Sequence, residues 1–109
     1  MGTRTFVIKR NDTSPSIQGT CKDADGNAVD ITGATIRFHM IDADEDLIVD
    51  AAATIADGTG GVVRYDWQAA DTDVAGAYQA EFEVTYSDAT VESFPSRGFI
   101  GVQIYEDLA

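Results

Sequence analysis

A chain of 109 residues with 19 acidic side chains against 7 lysines and arginines carries a formal net charge of −12 at pH 7. That balance excludes a phosphate-backbone binder, which needs a basic face. No apolar run approaches the ~20 residues of a membrane helix. Hydrophobic residues make up 44% of the chain, enough for one packed core and too many for a disordered chain. One domain is therefore expected over residues 1–109. Cys21 is the single cysteine, so no intramolecular disulfide is available. The start, MGTRTFVIKRND, has no long apolar stretch followed by a small-residue cleavage site. Gly2 follows Met1, but Phe6 stands where a myristoylation signal wants Ser or Thr. Synthesis in the cytoplasm is expected.

The first predicted strand is Thr5–Arg10, with Phe6 and Ile8 on one face. Asn11 to Pro15 is a turn cluster. A second strand, Ser16–Lys22, places Ile17, Gly19 and Cys21 in one phase, which makes Cys21 a small buried hydrophobe. The turn Asp23-Ala24-Asp25-Gly26-Asn27 leads to a short strand at Val29–Ile31, closed by Thr32-Gly33. In Ala34–Ile41 the residues Ala34, Ile36, Phe38 and Met40 face the core. Arg37, His39 and Ile41 take the wet phase, so His39 reads as a solvated surface histidine.

Asp42 to Asp46 is an acidic loop. Leu47–Ile55 is alanine-rich, but its β-branched residues and bounded length favour strand over helix. After the loop at 57–61, Val62–Trp67 sets Val63, Tyr65 and Trp67 together. Gln68 to Ala75 lacks alternation and allows one helical turn. The longest strand, Ala77–Tyr86, puts Tyr78, Ala80, Phe82, Val84 and Tyr86 on one face and Gln79, Glu81, Glu83 and Thr85 on the other. Ser87 to Thr90 is a hairpin turn to Val91–Phe94. Pro95 to Gly98 interrupts, and Phe99–Tyr105 is the last strand. These elements predict an all-β, immunoglobulin-like antiparallel β-sandwich of about seven to nine short strands, with a closed barrel as the alternative.

Asp73-Val74-Ala75-Gly76-Ala77-Tyr78 has the form of a tyrosine corner, in which the ring enters the core and the hydroxyl bonds back to backbone. Ala80 stands where an antibody domain has a cysteine, so the likeness is to the architecture. Asp23, Asp25, Asn27 and Asp30 invite a calcium reading, but Asp-Gly turn chemistry explains them without an ion. A solvated charge run explains Asp42 to Asp46 equally well. One histidine and one cysteine on separate strands make no nucleophile–base pair, and no phosphate loop, Cys-x-x-Cys or metal-binding histidine pair occurs. No catalytic, cofactor-binding or metal-binding residue is assigned, and no enzyme is expected.

The order Arg10 to Thr13, then Asp23 to Met40, resembles the N-terminal domain of tailed-phage baseplate upper proteins. Asp57 to Asp66 resembles that family's turn and strand, Asp71 to Val84 its Asp-x-x-Gly-x-Tyr-x-x-Glu-Phe segment, and Ser87 to Pro95 its final hairpin. The resemblance covers about Phe6 to Pro95. It implies an immunoglobulin-like virion domain without enzymatic activity that docks onto other tail proteins. The sequence ends at Ala109, so the helical and receptor-binding parts that follow in the family are not expected. A baseplate or tail accessory and a capsid decoration protein are therefore both compatible.

The expected role is a non-enzymatic structural protein of a tailed virus, docking onto other tail, baseplate or capsid proteins in symmetric copies. Docking surfaces are expected at Thr5–Arg10, at Phe99–Tyr105, or around Arg37 and Ile41. Copies at −12 repel one another, so close packing is expected to need salt. The alternative is a carbohydrate- or host-surface-binding sandwich, for which Tyr65, Trp67 and Tyr105 are the available aromatics.

Overall fold

The computed structural model describes residues 5–108. Residues 1–4, where the leader and Gly2 readings begin, lie outside that range. Eight strands form in chain order: β1 (Thr5–Lys9), β2 (Ile17–Thr20), β3 (Thr35–Ile41), β4 (Leu47–Asp57), β5 (Val62–Tyr65), β6 (Gly76–Thr85), β7 (Val91–Phe94) and β8 (Ile100–Tyr105). A single 3-10 turn, Ala69–Thr72, stands between β5 and β6, within the segment that lacks alternation. The fold is all-β, and no helix among the described residues is long and apolar enough to cross a membrane.

The strands run β1-β8-β6-β3-β4-β5-β2, with β7 joined to the far half of β6. One sheet holds β1, β8, β6, β7, β3 and the first part of β4; the second holds the last part of β4, β5 and β2. β4 is 11 residues long because it serves both. Its residues to Ala53 pair with β3, and those from Thr54 pair with β5. All strand pairs are antiparallel except β1 with β8, which run parallel from Thr5↔Gly101 to Lys9↔Tyr105. The antiparallel sandwich thus carries one parallel pair at its edge.

Alternation builds the core. Ile36, Phe38 and Met40 on β3 are buried, as are Tyr78, Ala80, Phe82 and Val84 on β6. Phe38 sits at the centre, stacked on Tyr65 at 4.5 Å between ring centroids, with Phe82 at 5.1 Å and Trp67 edge-on at 5.6 Å. Such aromatic contacts add to the area burial of the rings. Cys21 is fully buried, and burial pushes its thiol up to about 11, with Glu92 adding to the effect. Gly19 on β2 leaves room for the facing sheet: a Cβ there would lie 3.2 Å from the Phe82 ring.

Two strand expectations are corrected. Val29–Ile31 forms no strand. The Val29 amide donates to the Cys21 carbonyl and the Ile31 amide to the Gly58 carbonyl. Two different segments take up its backbone, so no continuous ladder forms, yet Ile31 is fully buried. The strand expected to run to Lys22 stops at Thr20, beyond which only Cys21 N to Gly61 O and an isolated Lys22–Ala28 bridge continue it.

Candidate functional site

Two depressions lie on the outer face of the larger sheet, and sequence alternation explains where they open. On β8, Val102 and Ile104 point inward, so Gly101, Gln103 and Tyr105 point outward. On β6, Ala77 and Gln79 are outward, and Gln79 pairs with Gly101. A glycine and an alanine therefore stand where neighbouring positions carry long side chains. The result is an open trough of about 490 Å³ that reaches from Thr5 across Gly101 and Ala77 to Asp42 and Glu45. A second depression of about 250 Å³ continues past Phe99 and Gln79 to Ile41 and His39. Sequence reading missed the trough; the signal available was the pair of small residues in the polar phase of two strands.

Beside it runs a row of charges in register. His39 pairs with Asp50 on β4 and with Glu81 on β6. His39 Nδ1 lies 3.1 Å from Glu81 Oε2, and Nε2 lies 3.3 Å from Asp50 Oδ1. A neutral ring donates to one of these carboxylates and a charged ring to both. The His39 side chain is 23% exposed, so it is lodged between carboxylates rather than freely solvated as expected. Arg37 donates to Asp50 Oδ1 at 2.8 Å, and this hydrogen bond holds the Asp50 carboxyl below the usual carboxylate range.

The other sequence candidates fall into structural roles. The Tyr78 hydroxyl donates to the Val74 carbonyl at 2.5 Å, closing the expected tyrosine corner. Asp23 Oδ1 accepts from the amides of Asp25 and Asn27, and Asp30 Oδ1 from the amide and hydroxyl of Thr32. Asp42 Oδ1 accepts from the amides of Asp44 and Asp46. Carboxylate oxygens of Asp42, Asp44 and Asp46 come within 4.8 Å of one another at the exposed tip of this loop. Each lead aspartate is thus committed to folding its own turn. Tyr65 and Trp67 are buried in the core, which leaves the sugar-binding reading with Tyr105, 54% exposed, as its remaining aromatic.

Docking by strand addition at Phe99–Tyr105 is corrected: β8 is flanked by β1 and β6. Among the described residues, β1, β2 and β7 each pair with one strand only, and each half of β4 is bonded to a single strand, β3 as far as Ala53 and β5 from Thr54. On β1, Val7 is 54% exposed. The surface around Arg37 and Ile41 is accessible, but the Arg37 guanidinium is committed to Asp50.

Eight strands, a tyrosine corner and a parallel β1–β8 pair define a small immunoglobulin-like β-sandwich domain. The chain belongs to the BppU N-terminal domain family, the N-terminal domains of phage baseplate upper proteins, whose profile matches residues 16–99. Its fold is similar to the N-terminal domain of phage TP901-1 ORF48, at 14% identity and a TM-score of 0.62, over 95% of this chain and 85% of that one. It is also similar to the crystal structure of CopC from Methylosinus trichosporium OB3b, at 14% identity and a TM-score of 0.56, over 100% of this chain and 89% of that one. At such identities the two structures attest the sandwich fold alone. No curated protein sequence matches the chain.

Proposed function

We propose that this chain is a non-enzymatic structural domain of a tailed-phage particle, one β-sandwich over residues 1–109 that docks onto other virion proteins in symmetric copies. The observation that carries the proposal is the family match over residues 16–99, which favours the baseplate over the capsid. The aromatic core, the tyrosine corner and the sheet-spanning β4 suit a rigid spacer whose outer surfaces do the work. No residue is assigned to catalysis, a cofactor or a metal: Cys21 is sealed in the core, and both His39 ring nitrogens face carboxylates.

Purified particles carrying a tagged copy of this chain test the proposal. The tag is expected to co-purify with intact particles in a fixed ratio and to label one end of the tail in electron micrographs. Particles assembled in its presence that contain none of it would refute a virion role. Labelling spread over the head would move the domain from the baseplate to the capsid.

A further inference from the structure

Docking onto virion proteins requires a contact surface, and the trough on the outer face of the larger sheet has the chemistry of one. Asp42 and Glu45 stand on its wall, and Glu81 stands in the depression that continues it. Among the described residues, no lysine or arginine lines either part. The ion pairs among the described residues engage Asp50, Asp66, Glu81 and Glu106, and none of the four acids from Asp42 to Asp46. The trough's wall therefore presents negative charge that the described part of the chain does not neutralise. Two glutamines stand among the apolar residues that line the rest. Gln103 Nε2 donates to the Gly76 carbonyl, which leaves the amide oxygen of Gln103 as an acceptor, and Gln79 is exposed beside it.

We infer that this trough receives an arginine- or lysine-bearing segment of a partner virion protein. The inference rests on the structural reading above and names the partner's chemistry. Arginine and lysine side chains are donor-only and cationic, which matches a wall of carboxylates and amide oxygens. A trough of about 490 Å³ is of the size that encloses a small ligand, so it holds a few side chains. A second copy of this chain is a poor occupant. It would bring its own −12 charge against the same carboxylates. The charge complementarity has a definite sign in salt. Copies of this chain tolerate one another better as salt rises, whereas the trough loses its cationic occupant.

The test uses the intact, isotope-labelled chain and two synthetic peptides, one of alternating arginine and glycine and one with glutamate in place of arginine. Amide chemical shifts are expected to move and saturate at Ala77, Gln79, Gly101 and Gln103 with the arginine peptide only. Gly101→Gln, which fills the trough without changing charge, is expected to weaken binding at least tenfold. Asp42→Asn combined with Glu45→Gln is expected to weaken it by about tenfold, the scale of two exposed ion pairs. Asp23→Asn combined with Asp25→Asn removes the same charge elsewhere and is expected to change it by less than about twofold. Shifts spread evenly over all the acidic loops, undiminished binding by Gly101→Gln, or equal weakening by the distant pair would each overturn the inference. Should Gly101→Gln fail to fold, Ala77→Gln fills the same space from the neighbouring strand. Particles that incorporate Gly101→Gln as well as the native chain would sink the trough and leave the virion role standing. A chain that binds the peptide but never enters particles would do the reverse.

Discussion

The two acidic loops are wired alike and stand in different surroundings. In the loop from Asp23, the lead amide donates to the Asn27 carbonyl and the Gly26 amide to the Asp23 carbonyl. In the loop from Asp42, the lead amide donates to the Asp46 carbonyl and the Glu45 amide to the Asp42 carbonyl. In both, the aspartate oxygen accepts the amides two and four residues on. Their fourth residues share left-handed backbone, with φ of 83° at Gly26 and 67° at Glu45. Glycine adopts that conformation freely, and a side chain pays strain for it. The turn alone explains Gly26 and leaves Glu45 unexplained, although Glu45 is the one that lines the trough. A second difference lies at the base. The Asp42 loop is a hairpin tip between β3 and β4, while the Asp23 loop is clamped at its base by Gly61. The Gly61 carbonyl accepts the Cys21 amide, and a Cβ on Gly61 would lie 2.7 Å from the Val29 oxygen and 2.8 Å from the Cys21 oxygen.

The largest effect should therefore come from the clamp. Gly61→Ala places a methyl against two backbone oxygens at a φ of 70° and is expected to cost about 3 kcal/mol, read as a lower urea midpoint. A near-neutral result would mean that the base of the Asp23 loop is looser than its hydrogen bonds imply. Next come Asp23→Ala and Asp42→Ala, each expected to cost about 1–2 kcal/mol through two lost amide hydrogen bonds. Equal losses would confirm the shared wiring, and a much smaller loss at Asp42 would break the comparison. The left-handed position should then respond with opposite signs. Gly26→Ala is expected to cost about 1 kcal/mol, and Glu45→Gly to gain about 0.5 kcal/mol while weakening the arginine peptide. If Glu45→Gly destabilises the fold, its carboxylate serves the turn after all.

The smallest effect is electrostatic. Hydrogen bonds from Thr32 and Thr90 hold the Asp30 and Asp88 carboxyls below their ordinary value. A depressed folded value contributes stability that is present above the unfolded value of about 3.9 and is lost as pH falls through the folded one. Carboxyl carbon shifts should show both residues titrating below the usual aspartate range, and titration at or above it would contradict the turn geometry.

What the chain alone discloses follows from how local the cause is. Ile36, Phe38 and Met40 declare their face by alternation, and Tyr78 declares its corner by the Gly76-Ala77-Tyr78 approach, because both signals lie within a few residues. Val29–Ile31 misled because its apolar alternation is real while its backbone partners, Cys21 and Gly58, lie on different segments. That the docking strand expected at Phe99–Tyr105 is flanked on both sides is not legible in the sequence, because pairing order is a long-range property. Nothing near Gly101 announces that Thr5 will lie beside it. The trough was hidden for a related reason. Gly101 and Ala77 mark small side chains separately, and only the antiparallel register of β6 with β8 sets them close enough to make one depression.

The parallel pairing of β1 with β8 has a mechanical consequence. The two strands run side by side in the same direction, so the start of β1 and the end of β8 lie at opposite ends of the pair. A pull applied between Thr5 and Tyr105 loads their ladder along its length. Its hydrogen bonds must then fail together instead of opening one after another like a zipper. The domain should resist stretching between these points more strongly than stretching across the β3–β4 hairpin, which peels from one end. Single-molecule pulling from the two pairs of attachment points would measure the difference. Tension along β1 and β8 is thus borne by the whole ladder at once.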